Sequence, residues 1–338
     1  MDSNAPFTFI VGNSRSGTTM LLRMLNQHPS IFVGNEFHFF EQLWSSTDRD
    51  KVMDITEASL LMSKLLYIHH EGYTGEMDID KYAGEAHDFV VKESHGLQYA
   101  HEYFGEFLLS RTAAAHKIIP CEKTPQNIFY IDEIKALFPN AKFIHIVRDP
   151  RAILLSQKNK WKRRKMGASF ITRREVMRLR INYHPYTLSK LWQSAIKAGL
   201  RHRDDSSVLT IRFEDLLQSP ENTLQKICSH LGVDFHAQMM DIPVASSSNE
   251  ADSTVVRGIK KERAETWMQG GLSDTEIAIC EQVNSSYLTS YGYNLTHKNG
   301  SLIGKLGWLF LFPLKTSVAL LMNRDRMKNI FETLRKRL

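Results

Sequence analysis

A five-residue apolar run, "FTFIV" at 7–11, passes without a break into "GNSRSGTT" at 12–19 and then into "MLLRMLNQ" at 20–27. A continuous apolar strand of that kind belongs inside a parallel sheet, with both faces covered. Gly12 and Gly17 allow a tight turn and close backbone approach. Residues 18–27 carry apolar side chains at helical spacing and stop before His28-Pro29, since proline restricts the residue ahead of it. Strand, glycine turn and helix in that order point backbone N–H groups at one spot. That is an anion site before any side chain is considered.

The rest of the chain keeps alternating. Apolar runs at 116–123, 141–149 and 207–213 read as strands. The segments 128–138, 150–161, 220–233 and 272–293 read as helices. Asp149 and Pro150 are placed to cap and start one of them, Gly232 to stop another, and Ser273 to cap a third. The pattern predicts an α/β fold: a single domain of phosphate-loop type, with a mostly parallel central sheet flanked by helices, helical insertions and a C-terminal helical extension. The expected boundaries are 1–297 for the domain and 298–338 for the extension. Residues 12–17, Lys123 and Arg148 all fall just beyond C-terminal strand ends, where such sheets bind ligands.

Composition narrows the class. With 42% hydrophobic and 24% charged residues in 338, the chain has enough apolar surface for an ordinary core. Three scattered cysteines, Cys121, Cys228 and Cys280, give neither a disulfide framework nor a metal spacing. The first residues lack a basic, apolar leader pattern, so a cytoplasmic location is expected. The net charge of +6 is uneven. Between Lys158 and Arg180, ten Lys/Arg face Glu175 alone; between Gly300 and Leu338, eight face Asp325 and Glu332. Such patches draw a phosphorylated ligand, an acidic polymer or a membrane surface, or form a solvated face. Nucleic acid is not an expected partner.

The first loop nearly spells the phosphate-binding pattern G-x-x-x-x-G-K-[ST], but Thr18 stands where the lysine belongs. Arg15, inside the loop, is placed to bind two oxygens at once. Asn13, Ser14, Ser16, Gly17, Thr18 and Thr19 supply the remaining donors. Together with "VRDPRAILLSQ" at 147–157, "RSGTT" resembles the sulfotransferase superfamily, whose members use 3'-phosphoadenosine 5'-phosphosulfate (PAPS). The resemblance implies that the first loop holds the 5'-phosphosulfate, and that Arg148 and Ser156, eight residues apart, hold the 3'-phosphate.

The likeness extends over roughly 7–47 and 116–295, and is similar in places to the tyrosylprotein sulfotransferases. It implies Glu36 as general base on an acceptor hydroxyl; His38, two residues away, is the rival base because imidazole is the commoner choice. It implies Lys123 of "CEKTP" at the bridging oxygen of the donor. It puts Phe213 at a tyrosine position near the adenine, where the ring still packs but the hydroxyl is lost. One of Arg257, Lys260, Lys261 and Arg263 is expected to add a phosphate contact, with Arg257 first. Catalysis then rests on Glu36, Arg15 and Lys123, in an in-line displacement driven by positioning and charge, with no metal required.

Two other readings stay open. One is an ATP-dependent small-molecule kinase with a degenerate loop; the other is a non-catalytic module that binds anions or membrane. The acceptor is a lipid, sterol or glycolipid hydroxyl, suggested by the aromatic stretches 36–44 and 99–107 and the apolar C-terminus, or equally a carbohydrate. A peptide tyrosine is less expected, for want of secretory targeting. Lys305, Pro313 and Lys315 interrupt the apolar stretch 302–322, which favours a helix lying on a membrane over one crossing it. A hairpin closing the core and a dimer interface are the alternatives. Trp161 and Phe170 are core residues or acceptor contacts.

Overall fold

Alternate residues of the first strand face different cores. In β1 (Thr8–Gly12) all five residues are buried; Phe9 and Val11 join one apolar cluster and Ile10 another. This is the period-two signature of a strand covered on both sides. The computed structural model describes residues 5–72, 77–93, 96–162, 172–243, 257–323 and 330–337. Phe170 and part of the first basic stretch lie outside them.

After β1 come α1 (Thr18–Asn26) and β2 (Ile31–Val33), then three helices, α2 (Ile55–Glu71), α3 (Ala83–Asp88) and α4 (Ala100–Ala114). The chain returns through β3 (Ile119–Glu122), α5 (Ile131–Leu137), β4 (Lys142–Val147) and α6 (Pro150–Asn159). Next are α7 (Arg173–Ile181), α8 (Pro185–Leu200), β5 (Val208–Arg212), α9 (Phe213–Gln218) and α10 (Pro220–Leu231). The described chain ends with α11 (Asp274–Ser290), α12 (Leu302–Asn323) and α13 (Ile330–Arg337). Asp149 caps α6, accepting from the Arg151 N–H at 2.8 Å, and Ser273 caps α11.

The five strands are parallel in the order β2-β3-β1-β4-β5. The central β1 pairs with β4 from Thr8↔Lys142 to Gly12↔Ile146. Connections after β1 build one side of the sheet and later ones the other, so the crevice opens at the C-terminal ends of β1, β3 and β4.

The phenylalanine and tryptophan rings of the stretches 36–44 and 99–107 are core side chains. Phe37, Phe39, Phe40, Trp44, Phe104 and Phe107 are fully buried in the cluster that covers Phe9 and Phe143. Phe39 stacks on Phe104 with ring centroids 4.2 Å apart and planes within 3°. Each such ring is worth roughly 1.5–3 kcal/mol of burial, and the insertion α2–α4 supplies one wall of this core. The three cysteines are free thiols, all buried.

The C-terminal helices lie against the domain. Lys315 Nζ donates to the Tyr183 carbonyl at 2.8 Å, and Arg178 Nη1 to Asn323 Oδ1 at 2.6 Å. No residue of α12 is buried, so it closes no core. In α13, Lys336 pairs with Glu133 and Arg337 with Glu41.

Candidate active site

Geometry at two glycines shapes the first loop. A Cβ on Gly12 would stand 2.5 Å from the Ile146 carbonyl oxygen, so β1 and β4 approach only because none is there. At Gly17 the backbone is left-handed, with φ of 100°, and a Cβ would stand 2.1 Å from the Phe213 ring. Phe213, at the start of α9, is thus the floor under the loop. Arg15 itself takes a positive φ of 74°, a conformation that costs a non-glycine residue on the order of 1 kcal/mol. Ser16 and Thr18 are buried and Thr19 is exposed; Asn13 and Ser14 are half-buried on the rim.

The loop is joined to the end of β4 and to α6. Arg15 Nε donates to Ser156 Oγ at 2.9 Å. Arg148 Nη1 donates to the Arg15 carbonyl at 3.0 Å, and its Nη2 to the Arg263 carbonyl at 3.3 Å. The Arg148 guanidinium lies 4.4 Å above the Phe213 ring, a cation–π contact. Burial presses its pKa below that of an ordinary arginine, with Glu214 and Asp149 opposing. Of the four candidate cations after residue 256, the backbone of Arg263 meets Arg148, whereas Arg257 is exposed and ion-paired with Asp241 at 2.6 Å.

The third wall follows β2 and β3. Glu36 is ion-paired with Lys123, which stands just past β3. Burial opposes ionisation of Glu36, but Lys123 and His38 outweigh it and hold the carboxyl well below the usual carboxylate range. His38 Nε2 lies 3.6 Å from Glu36 Oε2, and His38 Nδ1 3.7 Å from Glu41 Oε2. Burial works against the imidazolium, yet the facing carboxylates of Glu36 and Glu41 raise its pKa to about 9. The chain of charges therefore runs Lys123, Glu36, His38, Glu41, Arg337.

Four contributors escaped the sequence. Glu122 is fully buried and bolts the Glu36 segment to β3. It accepts from the Phe37 N–H at 3.2 Å, from Thr124 and from Asn127 Nδ2 at 2.8 Å, and burial raises its pKa to about 7. Lys160 follows Ser156 by four residues, still in helical geometry, so it shares a helix face with the partner of Arg15. Burial, then the charge of Arg15, lowers its pKa to about 8, with Glu36 opposing. The i, i+4 spacing from Ser156 was the available signal. Glu41 and Arg337 lie 296 positions apart, and no local pattern could have joined them. Trp161 sits under the Arg180 guanidinium at 3.9 Å, which ties the end of α6 to α7.

Two buried polar atoms at this crevice, Ser16 Oγ and Arg148 Nε, have no hydrogen-bond partner among the described residues. Both suit an anionic ligand, Ser16 lying in the loop after β1 and Arg148 at the end of β4. No cluster of three or more His, Cys, Asp or Glu spaced to hold a metal occurs among the described residues.

Fold and site together define an α/β protein of phosphate-loop type, with its anion cradle at the switch point of a parallel sheet. The chain belongs to the sulfotransferase family, whose model matches residues 6–237. It is 23% identical over 301 residues to nodulation protein NoeE of Sinorhizobium fredii, covering 84% of this chain and 65% of that one. It is also 23% identical over 282 residues to protein-tyrosine sulfotransferase 2 of Gallus gallus, covering 78% of this chain and 63% of that one. The chain thus spans about two thirds of the length of these curated relatives. Among solved structures, the sulfotransferase domain from the curacin biosynthetic pathway superposes with a TM-score of 0.53 at 20% identity, covering 86% of this chain and 99% of that domain. A second such domain, from the Synechococcus PCC 7002 olefin synthase, gives 0.52 at 21% identity over 87% of this chain and 98% of that domain. These likenesses support the fold expected from the sequence.

Proposed function

We propose that this chain is a PAPS-dependent sulfotransferase that sulfates a hydroxyl group of a lipid or carbohydrate acceptor. The observation that carries the reading is the joint between two anion cradles. Arg15 of the loop is bonded to Ser156 of α6, and its carbonyl to Arg148 at the end of β4. A ligand with one anionic group needs only one cradle; a nucleotide with a 5'-phosphosulfate and a 3'-phosphate needs both.

In this reading PAPS supplies the sulfuryl group and a bisphosphate leaving group. The loop N–H groups, Arg15, Ser16 and Thr18 hold the 5' end. Arg148 and Ser156 hold the 3' end, and the Phe213 ring closes the floor. Asn13, Ser14, Gly17 and Thr19 complete the loop, and Arg257 stays a candidate outer contact through its segment. Glu36 accepts the proton of the acceptor hydroxyl. Lys123, Arg15 and Lys160 offset the negative charge that grows on the departing phosphate oxygen. Domain boundaries at 1–297 and 298–338 and a cytoplasmic location belong to the same proposal.

The test is a pair of thermal shifts. Adenosine 3',5'-bisphosphate should raise the melting temperature, and adenosine 5'-monophosphate at the same concentration should do so far less. Equal shifts, or none with the bisphosphate, would remove the 3' cradle from the account.

A further inference from the structure

The long helix α12 (Leu302–Asn323) presents two different faces. Toward the domain it offers Gly304, the rings of Trp308 and Phe312, Lys315 and Asn323. Gly304 sits against Thr275, the Trp308 carbonyl lies 2.9 Å from His184 Nε2, Lys315 bonds the Tyr183 carbonyl, and Asn323 meets Arg178 and Asn182. Away from it stands an apolar stripe of Leu302, Ile303, Leu306, Leu309, Phe310 and Leu314, whose three- and four-residue spacings keep them on one side of the helix. Ile303 is 83% exposed and Phe310 84%. A run of this size is not left facing water without a reason.

The helix is long and apolar enough to cross a membrane, but a crossing helix is surrounded by lipid. This one is held sideways on the domain, with Gly304 packed on Thr275 of α11, the Trp308 carbonyl at His184 ahead of α8, and Asn323 bonded to Arg178 of α7. It therefore lies on the domain surface with its outer stripe free. Charge selects what covers that stripe. Helix α12 has no Asp or Glu, and residues 300–338 carry eight Lys/Arg against Asp325 and Glu332. A net-positive C-terminal segment that carries an exposed apolar stripe matches an anionic lipid surface. A second copy of the same chain would set the like charges of these segments against each other.

We propose that the outer face of α12 docks this protein on the surface of an anionic bilayer, with the helix lying in the plane of the headgroups. Helix α7 holds Asn323 of α12 through Arg178. Docking itself does not depend on the sulfuryl-transfer reading.

The test uses the full chain with phosphatidylcholine vesicles, with and without phosphatidylserine, in a sedimentation assay. Wild type should pellet with the mixed vesicles and bind the neutral ones roughly tenfold more weakly or less. The double substitution Leu309→Glu and Phe310→Glu should reduce binding to the mixed vesicles on the order of a hundredfold. Its melting temperature and its shift with adenosine 3',5'-bisphosphate should match wild type, because both side chains point away from the domain. Wild type that stays in the supernatant, or a variant that pellets equally, overturns the proposal. So does a dimer, seen by light scattering, that the double substitution dissolves while wild type ignores vesicles. Loss of the nucleotide shift in wild type, with vesicle binding intact, would count against the proposed activity and leave docking standing.

Discussion

Lys123 and Glu36, 87 positions apart in the chain, are ion-paired at the mouth of the crevice. While the pair is closed, the carboxylate is a poor base, because Lys123 and His38 hold its pKa far down against the effect of burial. For the proposed transfer we infer that Lys123 turns to the departing phosphate oxygen, which releases Glu36 and restores its basicity. Glu36→Gln should lower turnover about 10²–10⁴-fold, and Lys123→Ala about 10²–10³-fold. Glu36→Gln should keep the thermal shift with adenosine 3',5'-bisphosphate. Steady-state rates with one fixed acceptor check the first pair, and melting curves the second.

The two ends of the nucleotide should separate by substitution. Ser156→Ala removes the acceptor of the 2.9 Å bond from Arg15, and Arg148→Lys keeps the charge but loses the fork that spans the Arg15 and Arg263 carbonyls. Each should weaken the 3',5'-bisphosphate about 10–100-fold and leave the 5'-monophosphate within about threefold. Calorimetric titration of both nucleotides decides; parallel losses would mean that these residues only support the loop.

Much of this geometry was legible locally. The strand, loop and helix from Thr8 to Asn26 and the cap at Asp149 are set by neighbours in sequence, so their signals survive in a short window. The insertion α2–α4 was not legible. Toward its C-terminal end α2 buries Leu61, Met62, Leu65, Leu66, Tyr67 and Ile68, all round the helix, which erases the one-sided stripe that marks a surface helix. Strand β2 is three residues long and leaves almost no alternation to read. The aromatic run from Phe37 to Trp44 misled because residue type alone does not separate a core ring from a ligand ring; only packing against Phe104 and Phe9 does. The joining of Glu36 to Lys123, and of Glu41 to Arg337, exists only in three dimensions.

The His38 imidazolium gives a pH signature. Its folded pKa, about 9, lies above the ordinary value of 6.5. A group raised in this way contributes its full stability below pH ~6.5 and loses it as pH rises through ~9, a contribution of about 3 kcal/mol at most. Lys160 acts in the opposite sense, since its lowered pKa, about 8, relieves a cost as it deprotonates. The comparison must therefore be between wild type and His38→Gln. Wild type should lose more melting temperature than the variant between pH 7 and 9.5. Identical slopes would show that His38 is neutral in the folded chain.

Phe213 leaves no room for a side chain on the loop. Gly17→Ala would drive a methyl to 2.1 Å from that ring at a φ of 100°, and should cost about 1–3 kcal/mol. Phe213→Ala in the same chain should restore space but not backbone ease, and so recover only part of the loss. Chemical denaturation of the single and double variants measures the coupling.

Removing Arg337 tests the far end of the charge chain. Glu41 is buried, with His38 as its other partner. Arg337→Ala should cost roughly 1–3 kcal/mol and shift the alkaline limb of the pH–stability curve upward, since Glu41 then relies on the imidazolium alone. A variant that loses stability with an unmoved pH profile would make Arg337 a tether for α13 and nothing more.

The central claim is sulfuryl transfer from PAPS to a hydroxyl, and its most direct measurement is product formation. The full chain is incubated with PAPS and a panel of lipid and carbohydrate alcohols, and adenosine 3',5'-bisphosphate is quantified. The account predicts release that depends on the acceptor and falls at least about a hundredfold in Glu36→Gln. Release at the same rate with Glu36→Gln, or none with any acceptor and no thermal shift with the product, would contradict it.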